Sequence, residues 1–227
     1  MAEKTKLNVD IVSDVMCPWC YVGQKRLERA MDQVPEVEVD IHWRPFQLDP
    51  TLPPEGKDRK KYLSDKFGGD ERAKSVYQAI KDAGVAEGIP FDFDAIKVAP
   101  NTLDAHRLIR WASSAGEGIQ NRLARRLFQL YFEEGANIGD HRVLIDAARD
   151  VGMDNSIVES LLATDSDREA VQSEIATAGQ MGVTGVPCFL IEGKYAVMGA
   201  QDSDTLANAF RQIAEAKKEG YLEQPTG

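Results

Sequence analysis

The chain has 227 residues, 43% hydrophobic and 28% charged, enough to bury an ordinary core in one large domain or in a domain carrying a sizeable insertion. Lysines and arginines total 27 against 37 aspartates and glutamates, a formal net charge of −10, and such a surface repels phosphate backbones and anionic membranes, so neither is expected as a partner. The N-terminus is charged and runs straight into a strand-like segment without a signal peptide, no segment reads as a membrane span, and the expected location is cytoplasmic.

Residues 1–6 and the tail from about Glu223 are polar and are expected to be loose. Residues 7–13 (LNVDIVS) place Leu7, Val9 and Ile11 in alternation, the period of a strand. Pro18 then suits a first helical position, and Val22, Leu27, Ala30 and Met31 share one side of the helix that follows, with Pro35 beyond it as a stop. Residues 37–43 (VEVDIHW) alternate again. The opening is therefore strand, cysteine turn, helix, strand, a βαβ unit.

Residues 45–54 (PFQLDPTLPP) read as loop, and helical patterns then follow one another from about Lys57 to Thr164. The basic cluster 57–61, interrupted by Asp58, reads as a solvated helix face. Residues 70–83 form one helix with Gly84 as its stop. Asn101 is a candidate N-cap for the next, with Asp104 three residues on. Residues 119–132 form another helix, and Asp140 and Asp154 each precede one more. The α/β pattern returns with a helix over 166–180, two short strands over 188–192 and 195–198 around Gly193-Lys194, and a last helix from about Ser203 to Lys217.

Cys17-Pro18-Trp19-Cys20 carries the chemistry. A zinc site needs four ligands, and the remaining candidates Cys188, His42, His106 and His141 show no ligand-spaced pair, so no metal is expected. Two ordinary core cysteines remain an alternative, weakened by the proline between them and by the strand-to-helix position. A redox dithiol accounts for the residue types. A sulfur at a helix N-terminus is favoured as thiolate by the exposed N–H groups and the peptide dipoles. Cys17 sits there and is the candidate attacking sulfur; Cys20, one turn in, is the candidate resolving sulfur. Pro18 and Trp19 shape the turn between them. In TGVPC, Val186-Pro187 enters a short apolar strand and fits a cis-proline that faces the dithiol and leaves neighbouring backbone free for an extended substrate. Cys188 reads as a small buried core residue rather than a third redox partner. His106 is read either as facing the cleft or as a surface or capping residue, and His42 and His141 are assigned no catalytic role.

These residues resemble the thioredoxin superfamily, and the order βαβ, helices, α-Pro-β-β-α is similar to its DsbA-like branch. SDVMCPWCYVGQKRLERA, APNTLDAHRLIRWA, LFQLYFEEGANIGDHRVLIDAARDVG and GVTGVPCFLIEGKYAVMGAQ resemble the FrnE-like cytoplasmic oxidoreductases of that branch, over about residues 7–217. The resemblance implies an α/β thioredoxin fold, its N-terminal part at 1–50 and C-terminal part at 166–227, interrupted by a helical domain at 51–165. It implies a protein-disulfide oxidoreductase with a dithiol at Cys17 and Cys20, a cis-proline at Pro187, and a disulfide-bearing protein or glutathione as partner. The same branch includes 2-hydroxychromene-2-carboxylate isomerases and kappa-class glutathione transferases, which carry serine at the position of Cys17 and bind glutathione. By that likeness Asn101, Gln201, Asp202 and Ser203 are candidate glutathione contacts, although Asp202 or Ser203 also serves as an N-cap without any ligand. No tightly bound cofactor is implied, with glutathione as a co-substrate. The alternative function is therefore a glutathione-dependent isomerase or transferase acting on a small organic molecule, and a third is a non-catalytic chaperone.

Overall fold

The computed structural model describes residues 4–220. Residues 1–3 and 221–227, and with them most of the termini expected to be loose, lie outside the described residues. Thr5 and Lys6, grouped with the loose start, belong instead to the first strand, because their backbone continues the pairing with the second.

That pairing opens a βαβ unit of β1 (Thr5–Ser13), α1 (Pro18–Asp32) and β2 (Val37–Pro45), with β1 and β2 parallel from Thr5↔Val37 to Ser13↔Pro45. After the intervening helices the chain returns through α8 (Arg168–Gln180), β5 (Cys188–Ile191), β6 (Tyr195–Met198) and α9 (Ser203–Lys218). The sheet order is β2-β1-β5-β6, with β5 antiparallel to β1 and β6 antiparallel to β5. β1 is thus central, and its side chains Leu7, Val9 and Ile11 are fully buried. Each such side chain taken from water contributes about 1.5–3 kcal/mol. The hairpin turns at Glu192 and Gly193, both in the left-handed region, one residue earlier than the Gly193-Lys194 turn the sequence suggests. Glu192 is held there because its carboxylate accepts from Asn8 N at 2.7 Å and from Lys217 Nζ at 2.8 Å.

Between β2 and α8 lie β3 (Lys57–Asp58), α2 (Arg59–Phe67), α3 (Asp70–Ala86), β4 (Val98–Ala99), α4 (Leu103–Ala112), α5 (Ile119–Phe132), α6 (His141–Asp150) and α7 (Asn155–Leu162). Asp140 and Asp154 cap α6 and α7 as expected, each accepting from backbone N–H groups of the first turn. The antiparallel β3–β4 pair, two residues per strand, is too short to leave a periodic signal. Gly84 does not stop α3, which runs on to Ala86. A Cβ there would lie 2.4 Å from the Phe91 ring, so the glycine serves close packing. One contiguous buried cluster runs from Leu7 of β1 through Phe128 of α5 and Leu162 of α7 to Phe210 of α9, so the inserted helices and the sheet share a core.

Arg107 of α4 joins the insertion to the returning chain. Its side chain is fully buried. Nε donates to Ser166 O at 2.7 Å, Nη2 to Leu161 O at 2.9 Å and Thr164 O at 2.7 Å, and Nη1 to Asp104 Oδ1 at 2.9 Å. Those carbonyls end α7 and lead into α8. Asp104 also lies 2.8 Å from His141 Nε2 and 3.1 Å from Arg168 Nη2. Burial pushes the Asp104 carboxyl up, but the hydrogen bonds from His141 and Arg107 and the nearby arginine charges outweigh it and hold the group below its ordinary range.

Candidate active site

The chain leaves the C-terminal end of β1 and turns at once into α1. Cys17 is the N-cap residue in extended conformation, and Pro18 opens the helix, where its missing N–H costs nothing. No side chain caps the first turn of α1 and no acidic residue lies within it, so the Cys17 sulfur stands at the positive end of the helix. Its thiol donates to the Val186 carbonyl oxygen at 3.8 Å. Cys20, one turn in, is 1% exposed. Burial pushes its thiol well above the usual range, and the hydrogen bond and charge of Cys17 act in the same direction; Ser13 and the Asp14 backbone oppose them without prevailing. All three cysteines are free thiols.

Asp14 builds this turn. It is fully buried, its backbone carbonyl accepts from Cys17 N at 2.9 Å, and Oδ1 accepts from Met16 N at 3.3 Å. Oδ2 accepts from Leu48 N at 2.8 Å, which ties the loop after β2 to the cysteine turn. His106 is neither at the surface nor a cap. It is 3% exposed, with Nε2 at 3.5 Å from Asp14 Oδ1, because α4 packs its inner face beneath the turn.

A cavity of about 300 Å³ opens in front of Cys17. Cys17, Pro18 and Trp19 form one side, Gly185 and Val186 another, and α2 and α3 the far wall. Trp19 and Val76, both more than a third exposed, stand in its lining. The Val186–Pro187 peptide bond is cis. Pro187 is buried rather than presented: its Cγ lies 2.9 Å from where a Cβ on Gly23 of α1 would stand, and Gly185 and Val186 line the cavity in its place. Cys188 is buried beside Val12 and Ala178, and desolvation raises its thiol.

The structure does not bring Asn101, Gln201, Asp202 or Ser203 into this cavity. Asn101 precedes the observed N-cap Thr102 by one residue; its Oδ1 accepts from Leu103 N at 3.0 Å and its Nδ2 donates to Leu52 O at 2.6 Å. Asp202 caps α9, accepting from Thr205 N at 2.8 Å and Thr205 Oγ1 at 2.9 Å, bonds that hold its carboxyl below the ordinary range. Gln201 Nε2 donates to Met198 O, and Ser203 Oγ accepts from Gln33 Nε2.

Sequence reasoning missed Asp14, Gly23 and Arg59. An isolated glycine inside a helical pattern is a legible sign of close packing, so Gly23 had a signal. Arg59 departs from the solvated face expected for 57–61: Lys57, Lys60 and Lys61 are exposed, but the Arg59 guanidinium turns inward over the Tyr77 and Phe93 rings, at 4.8 and 5.5 Å. Among the described residues no group of three or more His, Cys, Asp or Glu side chains could hold a metal ion, and no helix is long and apolar enough to cross a membrane.

Comparison with known proteins bears on this arrangement. A solved structure described as a probable DsbA oxidoreductase from Streptomyces coelicolor is 28% identical, with a TM-score of 0.83 over 97% of this chain and 93% of that one. A 2-hydroxychromene-2-carboxylate isomerase shares the fold at 15% identity and a TM-score of 0.70, over 96% of this chain and 100% of that one. The cytosolic disulfide reductase DsbM from Pseudomonas aeruginosa, solved with GSH, shares it at 18% identity and a TM-score of 0.57, over 93% of this chain and 99% of that one. The family model of the DSBA-like thioredoxin domain matches residues 8–211, and the chain belongs to that family.

Proposed function

We propose that the protein is a thiol-disulfide oxidoreductase of a reducing, cytoplasmic compartment, acting on protein or glutathione disulfides. The supporting observation is the asymmetry of the pair: Cys17 faces an open cavity at a helix N-terminus, while Cys20 is buried behind it with its proton held. Cys17, as thiolate, attacks one sulfur of the substrate disulfide; that S–S bond breaks, and the second sulfur leaves as a thiolate. Cys20 then gives up its proton and attacks the Cys17 sulfur, releasing the second product thiolate and closing Cys17–Cys20. The substrate gains two electrons and the dithiol loses two; the reverse sequence oxidises a client. The backbone at Gly185–Val186 suits an extended peptide, and Trp19 and Val76 give it apolar contact. The wild type is expected to reduce insulin disulfides and to equilibrate with glutathione at a defined potential, which sets the direction of flow. Absence of exchange in both assays would remove the proposal.

A glutathione-dependent isomerase or transferase is the second reading, favoured by the size and aromatic lining of the cavity. It requires activity that survives Cys17→Ser when glutathione is present, and a glutathione affinity that weakens when the cavity wall is changed, as in Val76→Lys. Under either reading Asp202→Ala removes only the α9 cap: the melting temperature falls slightly, and glutathione exchange rates stay at wild-type level. Isothermal titration with glutathione alongside the exchange assay separates the two.

A further inference from the structure

The cavity facing Cys17 has no acidic side chain in its lining, whereas an adjoining cavity that shares Arg59, Leu63 and Tyr77 with it is lined by Asp58, Asp70 and Asp94. In a chain of net charge −10, the lining that faces Cys17 contains two cations, Arg59 and Lys66, and no carboxylate. Lys66 Nζ is engaged with the Tyr62 hydroxyl at 3.0 Å. Arg59 is less fully used. Nη1 donates to Phe93 O at 3.1 Å and the Tyr77 and Tyr131 hydroxyls stand beside the guanidinium, but Nη2 is buried with no hydrogen bond of good geometry, and among the described residues Arg59 makes no ion pair. A buried guanidinium N–H left open is costly, and it is a group that a ligand can satisfy.

Tyr77 stands beside it. Its ring stacks under the guanidinium, it senses the charges of both Arg59 and Cys17, and burial pushes its phenol up so that the hydroxyl remains a donor. The remaining walls are apolar: Met16, Leu48, Leu63, Phe67, Ile80. An occupant must therefore offer a flat or apolar body to this lining, a sulfur to Cys17, and a negative oxygen group to the Arg59 guanidinium, which turns its buried Nη2 out to meet it. A planar fork of N–H donors matches a carboxylate.

We propose that Arg59, assisted by the Tyr77 hydroxyl, is the anion-receiving point of the substrate pocket, and that the pocket takes small aromatic or apolar disulfides bearing a carboxylate. The inference rests on the redox reading of Cys17. In the reaction one carboxylate-bearing thiolate leaves as Cys17 forms the mixed disulfide, and the second leaves when Cys20 attacks the Cys17 sulfur; two electrons pass from the dithiol to the substrate.

Two disulfides of similar shape test it: 5,5′-dithiobis(2-nitrobenzoate), which carries carboxylates, and neutral 2,2′-dithiodipyridine. Released thiolate is followed in stopped flow with the full-length reduced protein. Arg59→Gln is expected to slow the carboxylate reagent about 10-fold or more and the neutral one less than about 2-fold, the scale of a lost charge-assisted hydrogen bond. Lys60→Gln, the same charge change at an exposed neighbour, should alter neither rate. Tyr77→Phe keeps the ring and should slow the carboxylate reagent alone, which preserves the test should Arg59→Gln fold poorly. Equal slowing of both reagents by Arg59→Gln, or an equal effect from Lys60→Gln, overturns the proposal, the first by showing a structural role and the second a diffuse field. Arg59-dependent binding of unreactive 4-nitrobenzoate, read by isothermal titration, separates the two ideas: if neither disulfide reacts with Cys17 yet binding persists, the redox reading fails and the anion site stands; loss of both overturns both.

Discussion

Cys17→Ser is expected to abolish disulfide exchange, by about 1000-fold or more, because a hydroxyl at the same helix N-terminus is scarcely ionised and is a poor attacking group. Cys20→Ser should differ in kind. Its Cys17 still attacks, the first product thiolate is released in one burst, and the chain then stalls as a mixed disulfide visible in the intact mass. The contrast follows from position: Cys17, itself only 5% exposed, borders the cavity, whereas Cys20 is absent from its lining and meets substrate only through the Cys17 sulfur. Trapping through position 20 in a Cys17→Ser variant would reverse the assignment, and undiminished turnover in that variant would remove the dithiol from the mechanism.

The second large effect concerns stability. Arg107→Met is expected to cost about 3–5 kcal/mol, the range for breaking a buried, hydrogen-bonded charge. Three carbonyls and the Asp104 carboxylate would each lose a buried donor at once, Asp104 keeping His141 and Arg168 and Leu161 O keeping Thr164. For a chain of this size the melting temperature should fall by roughly 10 °C or more. Arg110→Met, one turn along the same helix, is the comparison. Its side chain is 40% exposed and pairs with Asp167 and Glu174 at the surface, and its loss should cost less than about 1 kcal/mol. Equal destabilisation by the two variants would show that the carbonyl contacts of Arg107 carry no special weight. The Asp104 network also gives a pH dependence. Its carboxyl is depressed in the folded state, so its stabilisation is complete above the unfolded value near 4 and is lost as pH falls through the folded value. Asp104→Asn should flatten that acid limb of the melting profile.

The fold was legible where its signals are local. β1 and β2 alternate, α1 begins at a proline, α5 begins and ends where its periodicity does, and Asp140, Asp154 and Asp202 cap the helices that follow them. The placement of Cys17 and Cys20 at a helix start was legible for the same reason: four consecutive residues carry it. What stayed hidden depends on partners distant in the chain. Gly84 looks like a stop until Phe91 is seen against it. Asp14 stands in the cysteine motif itself, yet its reach to Leu48 across 34 positions appears only in three dimensions. Arg59 belongs to a run of surface cations, and only the carbonyl and ring of Phe93, also 34 positions away, turn it inward. The four positions that likeness to glutathione-binding relatives singles out belong to helix starts and turns outside the cavity, where Asp202 caps α9 and the other three bond neighbouring groups.

The two halves of the pocket come from different parts of the polypeptide. Reactive sulfur, turn and supporting acid lie within residues 14–20, whereas the opposing surface is contributed by α2 and α3. Under the proposed redox reading such a partition lets selectivity drift without disturbing electron transfer: replacements along one helical wall would retune which molecules are admitted and leave the exchange machinery intact. Redesign for a new cargo would begin at Leu63, Val76 and Ile80, and leave the first twenty positions alone.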